Sequence, residues 1–250
     1  MLSPKNGKGG IEVNGNKMFG IYIPSYNRAD TISTHKLLEY YKVVVRKSQK
    51  EDYLKAIPEE NLIAVDDEEI CSVSKVWNWV IDNAEEEVIA ILGDDMSGCL
   101  YRLDFNVPIE DYSLITAEIE RIAQLIYDLD IGYGCDDATN TPWNYNQEFA
   151  FTGTTGGITW VNRKLYKSRY NDAIGYCCDF DVVFQELLKN RIVLKPKYFC
   201  PVAGTDTNKG GNSSKTRQSM IDSFKTMKLK WGKYFDYDLK SNKVFCRVKR

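Results

Sequence analysis

The sequence has one histidine, seven cysteines and no CxxC spacing. An odd set of cysteines, two of them adjacent (Cys177 and Cys178), argues against a disulfide framework and against a zinc ribbon. It fits a reducing compartment, and a cytoplasmic location is the expectation. No run approaches the ~20 apolar residues of a membrane-spanning helix. The polar start, MLSPKNGKGG, lacks the apolar stretch of a secretory signal. A soluble chain without a membrane partner is therefore expected. No GxGxxG follows the first apolar run and no GxxxxGK[ST] occurs, so the usual dinucleotide and P-loop phosphate cradles are missing.

What is present describes a globular chain. Its 250 residues are 43% hydrophobic and 27% charged, enough to bury a sizeable core and too apolar for wholesale disorder. The net charge of −2 hides an asymmetry. Residues 201–250 carry twelve Lys and Arg against four Asp, a net +8, which leaves −10 on the first two hundred. A basic end on an acidic body suits a protein of which one face meets a polyanion. Lys225, Lys228 and Lys230 are the candidate phosphate contacts, and a solvated tail is the plainer alternative.

Residues 1–17, rich in Gly, Asn and Lys, read as a mobile tail; 18–200 read as one domain and 201–250 as a basic extension. Met18–Pro24 reads as a buried strand closed by proline, followed by the polar turn Ser25–Arg28 and a helix over Ala29–Tyr40. Lys42–Arg46 is a second strand. Ser48 and Glu51 have capping-box spacing for a short helix ended by Pro58, and Asn61–Val65 is a third strand. Val73, Val76, Trp77, Val80 and Ile81 trace the apolar stripe of a helix over Ile70–Ala84, with Lys75 and Asn78 on another face. Glu87–Leu92 is a fourth strand that runs directly into Gly93-Asp94-Asp95. Further on come a helix over Ser113–Leu129, short strands at Glu148–Thr152 and Gly157–Val161, and a helix over Asp179–Lys189. Asn190 suits a left-handed cap before a strand at Arg191–Leu194. Strands alternating with helices imply an α/β fold, a mostly parallel doubly wound sheet with helices on both faces. In such sheets ligands bind beyond the carboxyl ends of the strands, where Asp94 and Asp95 stand.

Adjacent acids at a strand end repel each other unless a cation or a donor compensates, and hard carboxylate oxygens suit Mg²⁺ or Mn²⁺. A polar turn is the alternative. IYIPSYNRA (Ile21–Ala29), then Lys75 and Asn78 on a helix, then ILGDDM (Ile91–Met96), resembles the nucleotide-sugar domain of GT-A fold glycosyltransferases. Gly156-Gly157-Ile158 and Cys178-Asp179-Phe180-Asp181 resemble that fold's acceptor-side strand and the start of its ED-x-D helix. Within the fold, the compact size, VVVRKSQKEDY (Val43–Tyr53) and GGNSS (Gly210–Ser214) are most similar to the TET-associated glycosyltransferases of bacteriophages, which modify hydroxymethylated pyrimidines in DNA.

The resemblance implies a set of roles. Asp95 would ligate Mn²⁺ or Mg²⁺, with Asp94 beside it on ribose or metal. Pro24, Tyr26, Asn27 and Arg28 would shape the base and ribose pocket. Arg46 would meet the base or the diphosphate, and Lys75 and Asn78 would face the nucleotide-sugar donor, a UDP-sugar being the first expectation. Asp179 would be the general base, with Asp181 beside it in the same motif, although carboxylates there also simply favour a helix N-terminus. Gly156 and Gly157 would line the acceptor side. Trp143 and Tyr145 would stack on a base flipped out of DNA, or else lid the core. Gly204–Ser214 would be a linker or a loop closing over phosphate.

Departures from the motif are also visible. Gly93 replaces the first acid of a DxD motif, Arg46 stands where relatives carry an aspartate, and Cys178 replaces the glutamate of ED. His35, the lone histidine, reads as structural or exposed rather than as a ligand, and Cys177 and Cys178 as small buried hydrophobes. The expected activity is transfer of a sugar from a nucleotide diphosphate to a 5-hydroxymethylpyrimidine in DNA. Transfer to a glycan or protein, and a catalytically dead GT-A fold acting as a DNA-binding module, are the alternatives.

Overall fold

A computed structural model of the chain describes residues 12–13, 16–102, 105–136, 145–203, 215–241 and 243–249. The expectations for Trp143 and for Gly204–Ser214 fall outside these residues. Two short strands, β1 (Glu12–Val13) and β2 (Asn16–Lys17), pair antiparallel within the segment expected to be a tail. The remaining strands are β3 (Phe19–Pro24), β4 (Lys42–Arg46), β5 (Leu62–Val65), β6 (Val88–Leu92), β7 (Met96–Arg102), β8 (Asn106–Pro108), β9 (Tyr133–Cys135), β10 (Phe149–Ala150), β11 (Ile158–Asn162), β12 (Lys195–Pro196), β13 (Phe199–Ala203), β14 (Phe235–Asp238) and β15 (Lys243–Cys246). The helices are α1 (Lys50–Tyr53), α2 (Val73–Asn83), α3 (Tyr112–Asp128), α4 (Cys178–Lys189) and α5 (Arg217–Trp231).

The central sheet has the order β5-β4-β3-β6-β11-β9. β3 to β6 are parallel, and β11 runs antiparallel between β6 and β9. The apolar runs FGIYIP, KVVVR and VIAIL are buried on both faces, as inner parallel strands must be. Their side chains divide by alternation. Ile21, Ile23, Val43, Val45, Ala90 and Leu92 pack on the side of α3, with Ile115, Ile119 and Ile122. Tyr22, Val44, Ile89 and Ile91 pack on the side of α2 and α4, with Val80, Ile81, Val182 and Val183. Each large aliphatic side chain so buried contributes about 1.5–3 kcal/mol.

Several local expectations are corrected. Of the helix expected over Ala29–Tyr40, only a 3-10 turn at Thr34–Leu37 forms. The Ser33 and Thr34 backbone N–H groups are spent on the Asp94 carbonyl at 3.0 and 3.4 Å, and so are withheld from a helix. Ser48 does not cap: its Oγ donates to Asp67 Oδ2 at 2.5 Å, and α1 begins beyond it. The left-handed residue after α4 is Arg191 (φ 72), whereas Asn190 keeps right-handed backbone angles (φ −105) and its amide donates to the Leu165 carbonyl at 3.0 Å. The strand expected at Arg191–Leu194 starts at Lys195, Leu194 making a single parallel bridge to Gly134. A second sheet, β13-β7-β8, follows the two acids directly and carries no sequence alternation that foretells it.

The basic extension is built into the fold. Phe224, Met227 and Phe235 share a third apolar cluster with Ile174, Cys177 and Phe184, and β14 pairs with β15 against it. Among the described residues no helix is long and apolar enough to cross a membrane.

Candidate active site

The parallel strands deliver their carboxyl ends to one edge of the molecule, where most of the singled-out residues gather. Ser25–Arg28 follows β3, Arg46 ends β4, Lys75 lies in the first turn of α2, and Asp94 and Asp95 follow β6. β11 enters at the same edge because it runs antiparallel to β6, with Ile158 opposite Leu92. The Gly157 carbonyl accepts from the Gly93 N–H at 3.1 Å, which joins the glycine turn to the acid pair.

The two acids are held differently. Asp94 is 6% exposed; Ser25 Oγ donates to its Oδ2 at 2.5 Å and Arg28 pairs with its Oδ1. Burial pushes its carboxyl above the usual carboxylate range, and Ser25 and Arg28 pull it part of the way back. Tyr53, on α1, extends the brace: its hydroxyl lies 2.7 Å from Ser25 Oγ and accepts from the Arg28 N–H at 3.0 Å. Asp95 is half-buried, its Oδ2 standing 3.3 Å from the same guanidinium. The turn that aims both acids is fixed from below by Thr34, whose Oγ1 donates to the Gly93 carbonyl at 2.6 Å and accepts from the Met96 N–H at 2.9 Å. Asp94 is thus a bracing group, and Asp95 is the less buried of the two carboxylates. Ser25 and Tyr53 lay within motifs read from the sequence but, like Thr34, were given no role of their own, because single hydroxyls carry no spacing signal.

Around the acids, Tyr26 is exposed and Arg46 lies over its ring at 4.1 Å. Arg46 also donates to the Cys71 carbonyl at 2.6 Å, tying β4 to the loop before α2. Asn27 has φ 54 and pairs with Gln49 through its side chain. Pro24 closes β3 and is half-buried. Lys75 is exposed, and its Nζ donates to Cys71 Sγ at 3.1 Å. Asn78 has another occupation than the donor: its side chain donates to the Tyr170 carbonyl at 2.9 Å and accepts from the Tyr170 N–H at 3.1 Å.

At the glycine turn before β11, Gly156 makes room for an acid that the sequence had not pointed to. A Cβ there would fall 2.1 Å from Asp136, which is wholly buried at the end of β9 and accepts from the Ile158 N–H at 2.6 Å. Tyr145 packs against the core. Asp179 lies half-buried in the first turn of α4, its Oδ1 accepting from the Phe180 N–H at 2.8 Å. Asp181 is 0% exposed and spent internally, so it does not reach an acceptor. Its carboxylate is taken up by Lys230, Trp231 and Gln185. Lys230 is therefore committed to an ion pair. Lys225 lies 3.8 Å from Asp222, and Lys228 donates to the Phe235 carbonyl at 2.8 Å. Burial raises the thiols of Cys177 and Cys178 to about 12, which leaves both inert. Of the two readings of His35, structural or exposed, the structure shows it buried.

Among the described residues no three His, Cys, Asp or Glu side chains gather into a metal cluster. One half-buried carboxylate beside a cationic brace fits the sparse protein ligation of Mg²⁺ or Mn²⁺, which complete their shells with water and substrate phosphate oxygens. It would not satisfy zinc, which takes a set of N or S ligands.

Comparison with known proteins agrees with this architecture. The mannosyltransferase PcManGT from Pyrobaculum calidifontis, solved with GDP-Man and Mn²⁺, aligns with a TM-score of 0.57 at 15% identity. That alignment covers 87% of this chain and 66% of that one. TarS (residues 1–349) of S. aureus aligns with a TM-score of 0.44 at 10% identity, over 84% of this chain and 65% of that one. The chain thus spans just under two thirds of either protein. A comparison with curated proteins found no match. The sequence profile of the TET-Associated Glycosyltransferase family matches residues 19–211. With the mostly parallel sheet and the acid pair at its carboxyl edge, this match identifies the chain as a GT-A fold glycosyltransferase belonging to the TET-associated glycosyltransferase family.

Proposed function

We propose that the chain transfers a sugar from a nucleotide diphosphate to the hydroxymethyl group of a pyrimidine in DNA, in a reducing cytoplasm. The observation that carries the reading is the unequal pair at the end of β6: Asp94 buried and braced, Asp95 less buried and 3.3 Å from Arg28. Tyr26 and Arg46 would hold the base, Asn27 the ribose, and Lys75 the diphosphate. Asp95 would hold Mn²⁺ or Mg²⁺, which when bound supplies charge to the leaving diphosphate. Asp179 takes the proton of the acceptor hydroxyl as its oxygen bonds to the sugar carbon. The bond from that carbon to the diphosphate breaks, and the nucleoside diphosphate leaves with the electron pair. Arg28 keeps the like charges of Asp94 and Asp95 together before the donor arrives.

DNA as the acceptor is supported by the +8 charge of residues 201–250, which include the exposed Arg217, Lys225, Lys233, Lys240 and Lys243. The test is incubation with Mn²⁺, a panel of UDP- and GDP-sugars, and duplex DNA bearing 5-hydroxymethylcytosine, followed by nucleoside mass measurement. A pentose or hexose gain on the modified base, suppressed by raising salt, is expected. Release of nucleoside diphosphate with unmodified DNA would reject the acceptor.

A further inference from the structure

Asp181 has no place in the reaction, yet its carboxylate is held by three side chains, Lys230, Trp231 and Gln185. It is 0% exposed and lies two residues beyond Asp179 in the first turn of α4. Lys230 Nζ stands 2.7 Å from its Oδ1 and 2.8 Å from its Oδ2. Trp231 Nε1 donates to Oδ1 at 2.8 Å, and Gln185 Nε2 to Oδ2 at 2.7 Å. A buried carboxylate is tolerated only with its compensating donors in place, and two of the three donors come from the last turn of α5.

The same segment is fastened at two further points. The Tyr176 N–H donates to Ser223 Oγ at 3.1 Å. Gly175 sits at φ 68, where a Cβ would lie 2.5 Å from Ser223 Oγ. The Trp231 ring lies 5.4 Å from that of Phe184 on α4. Helix α5 therefore grips the chain on both sides of Asp179.

We infer that Lys230 and Trp231, acting through Asp181, are positioning residues for Asp179, and that the C-terminal unit sets the geometry of acceptor activation. The inference rests on the reading of Asp179 as general base. A proton acceptor shifted by about 1 Å loses on the order of a hundredfold in rate, so a small rotation of this turn is enough to be measured.

The experiment compares wild type with Lys230→Met, Lys230→Arg, Trp231→Phe, Asp179→Asn and the exposed control Leu229→Met. Each is assayed for sugar transfer and for donor hydrolysis without acceptor. Trp231→Phe keeps an aromatic ring while removing the N–H donor and part of the indole, so it covers the case in which Lys230→Met fails to fold. For Lys230→Met and Trp231→Phe the transfer kcat should fall about tenfold or more, with donor KM and donor hydrolysis unchanged. Lys230→Arg should restore transfer, and Leu229→Met should match wild type. Wild-type transfer in folded Lys230→Met or Trp231→Phe overturns the inference. So does a parallel loss of transfer and hydrolysis, which marks general support of the fold. If Asp179→Asn transfers normally, the general-base reading itself falls and takes the positioning role with it.

Discussion

Two neighbouring aspartates with the same side chain do different work because their surroundings differ. Asp94 faces inward to Ser25 and Arg28, whereas Asp95 is less buried and stands 3.3 Å from the same guanidinium. Asn78 shows the reverse case, a residue whose motif position suggests ligand contact and whose hydrogen bonds show another use. It closes two bonds with the backbone of Tyr170, whose ring packs 5.1 Å from Trp77. Asn78→Ala should therefore cost about 1–3 kcal/mol of stability by stranding both backbone groups, with donor KM unchanged. Thermal unfolding and donor saturation curves decide between the two roles; a raised KM at unaltered stability would return Asn78 to the donor site.

At the scale of elements, the turn Thr34–Leu37 supports the acid pair and carries a buried titratable group. His35 is 9% exposed, its Nδ1 has no hydrogen-bond partner, and burial, reinforced by Lys36, holds its pKa below the usual 6.5. The unfolded chain then binds the proton more readily than the folded one, so stability falls as pH drops below ~6.5 and is unaffected by this group above it. Unfolding midpoints measured from roughly pH 7.5 to 5 should show a component absent from His35→Gln; identical slopes in the two proteins would contradict it. This turn also marks where the sequence was hard to read. Strands β3 to β6 were legible because inner parallel strands are continuous apolar runs, and α2 because its stripe is periodic. The helix expected at Ala29–Tyr40 failed because its polar groups serve a turn sixty residues away, a partner that local pattern does not reveal. Strands β7, β8 and β9 are short or lack alternation, and Asp136 is placed by its fit against Gly156 and by the Ile158 N–H, contacts that no local pattern announces. In the site, the acid pair and the Ser25–Arg28 turn were legible from their place after strands. The commitments of Asp181 and Lys230 to each other were not, since 49 residues separate them.

For the whole molecule, the parallel strands bring their carboxyl ends, with the acid pair, to one edge, and the C-terminal unit packs onto the 3-10 turn Asp172–Cys177 and onto α4, which carries Asp179. The charge asymmetry of the chain thus acquires a structural counterpart, since part of the basic segment is spent on internal pairing and part remains exposed. The central claim is that the edge beyond β6 is a metal-assisted donor site with Asp95 as its less buried carboxylate. The most direct test is Mn²⁺-dependent cleavage of nucleotide-sugars without acceptor, in wild type and in Asp95→Asn, with Asp95→Asn shown to be folded by its circular dichroism. Wild-type cleavage that needs Mn²⁺ and falls at least about a hundredfold in Asp95→Asn, on the scale of a lost transition-state charge contact, is predicted. Equal cleavage and equal Mn²⁺ dependence in the two proteins would place the donor elsewhere and contradict the account.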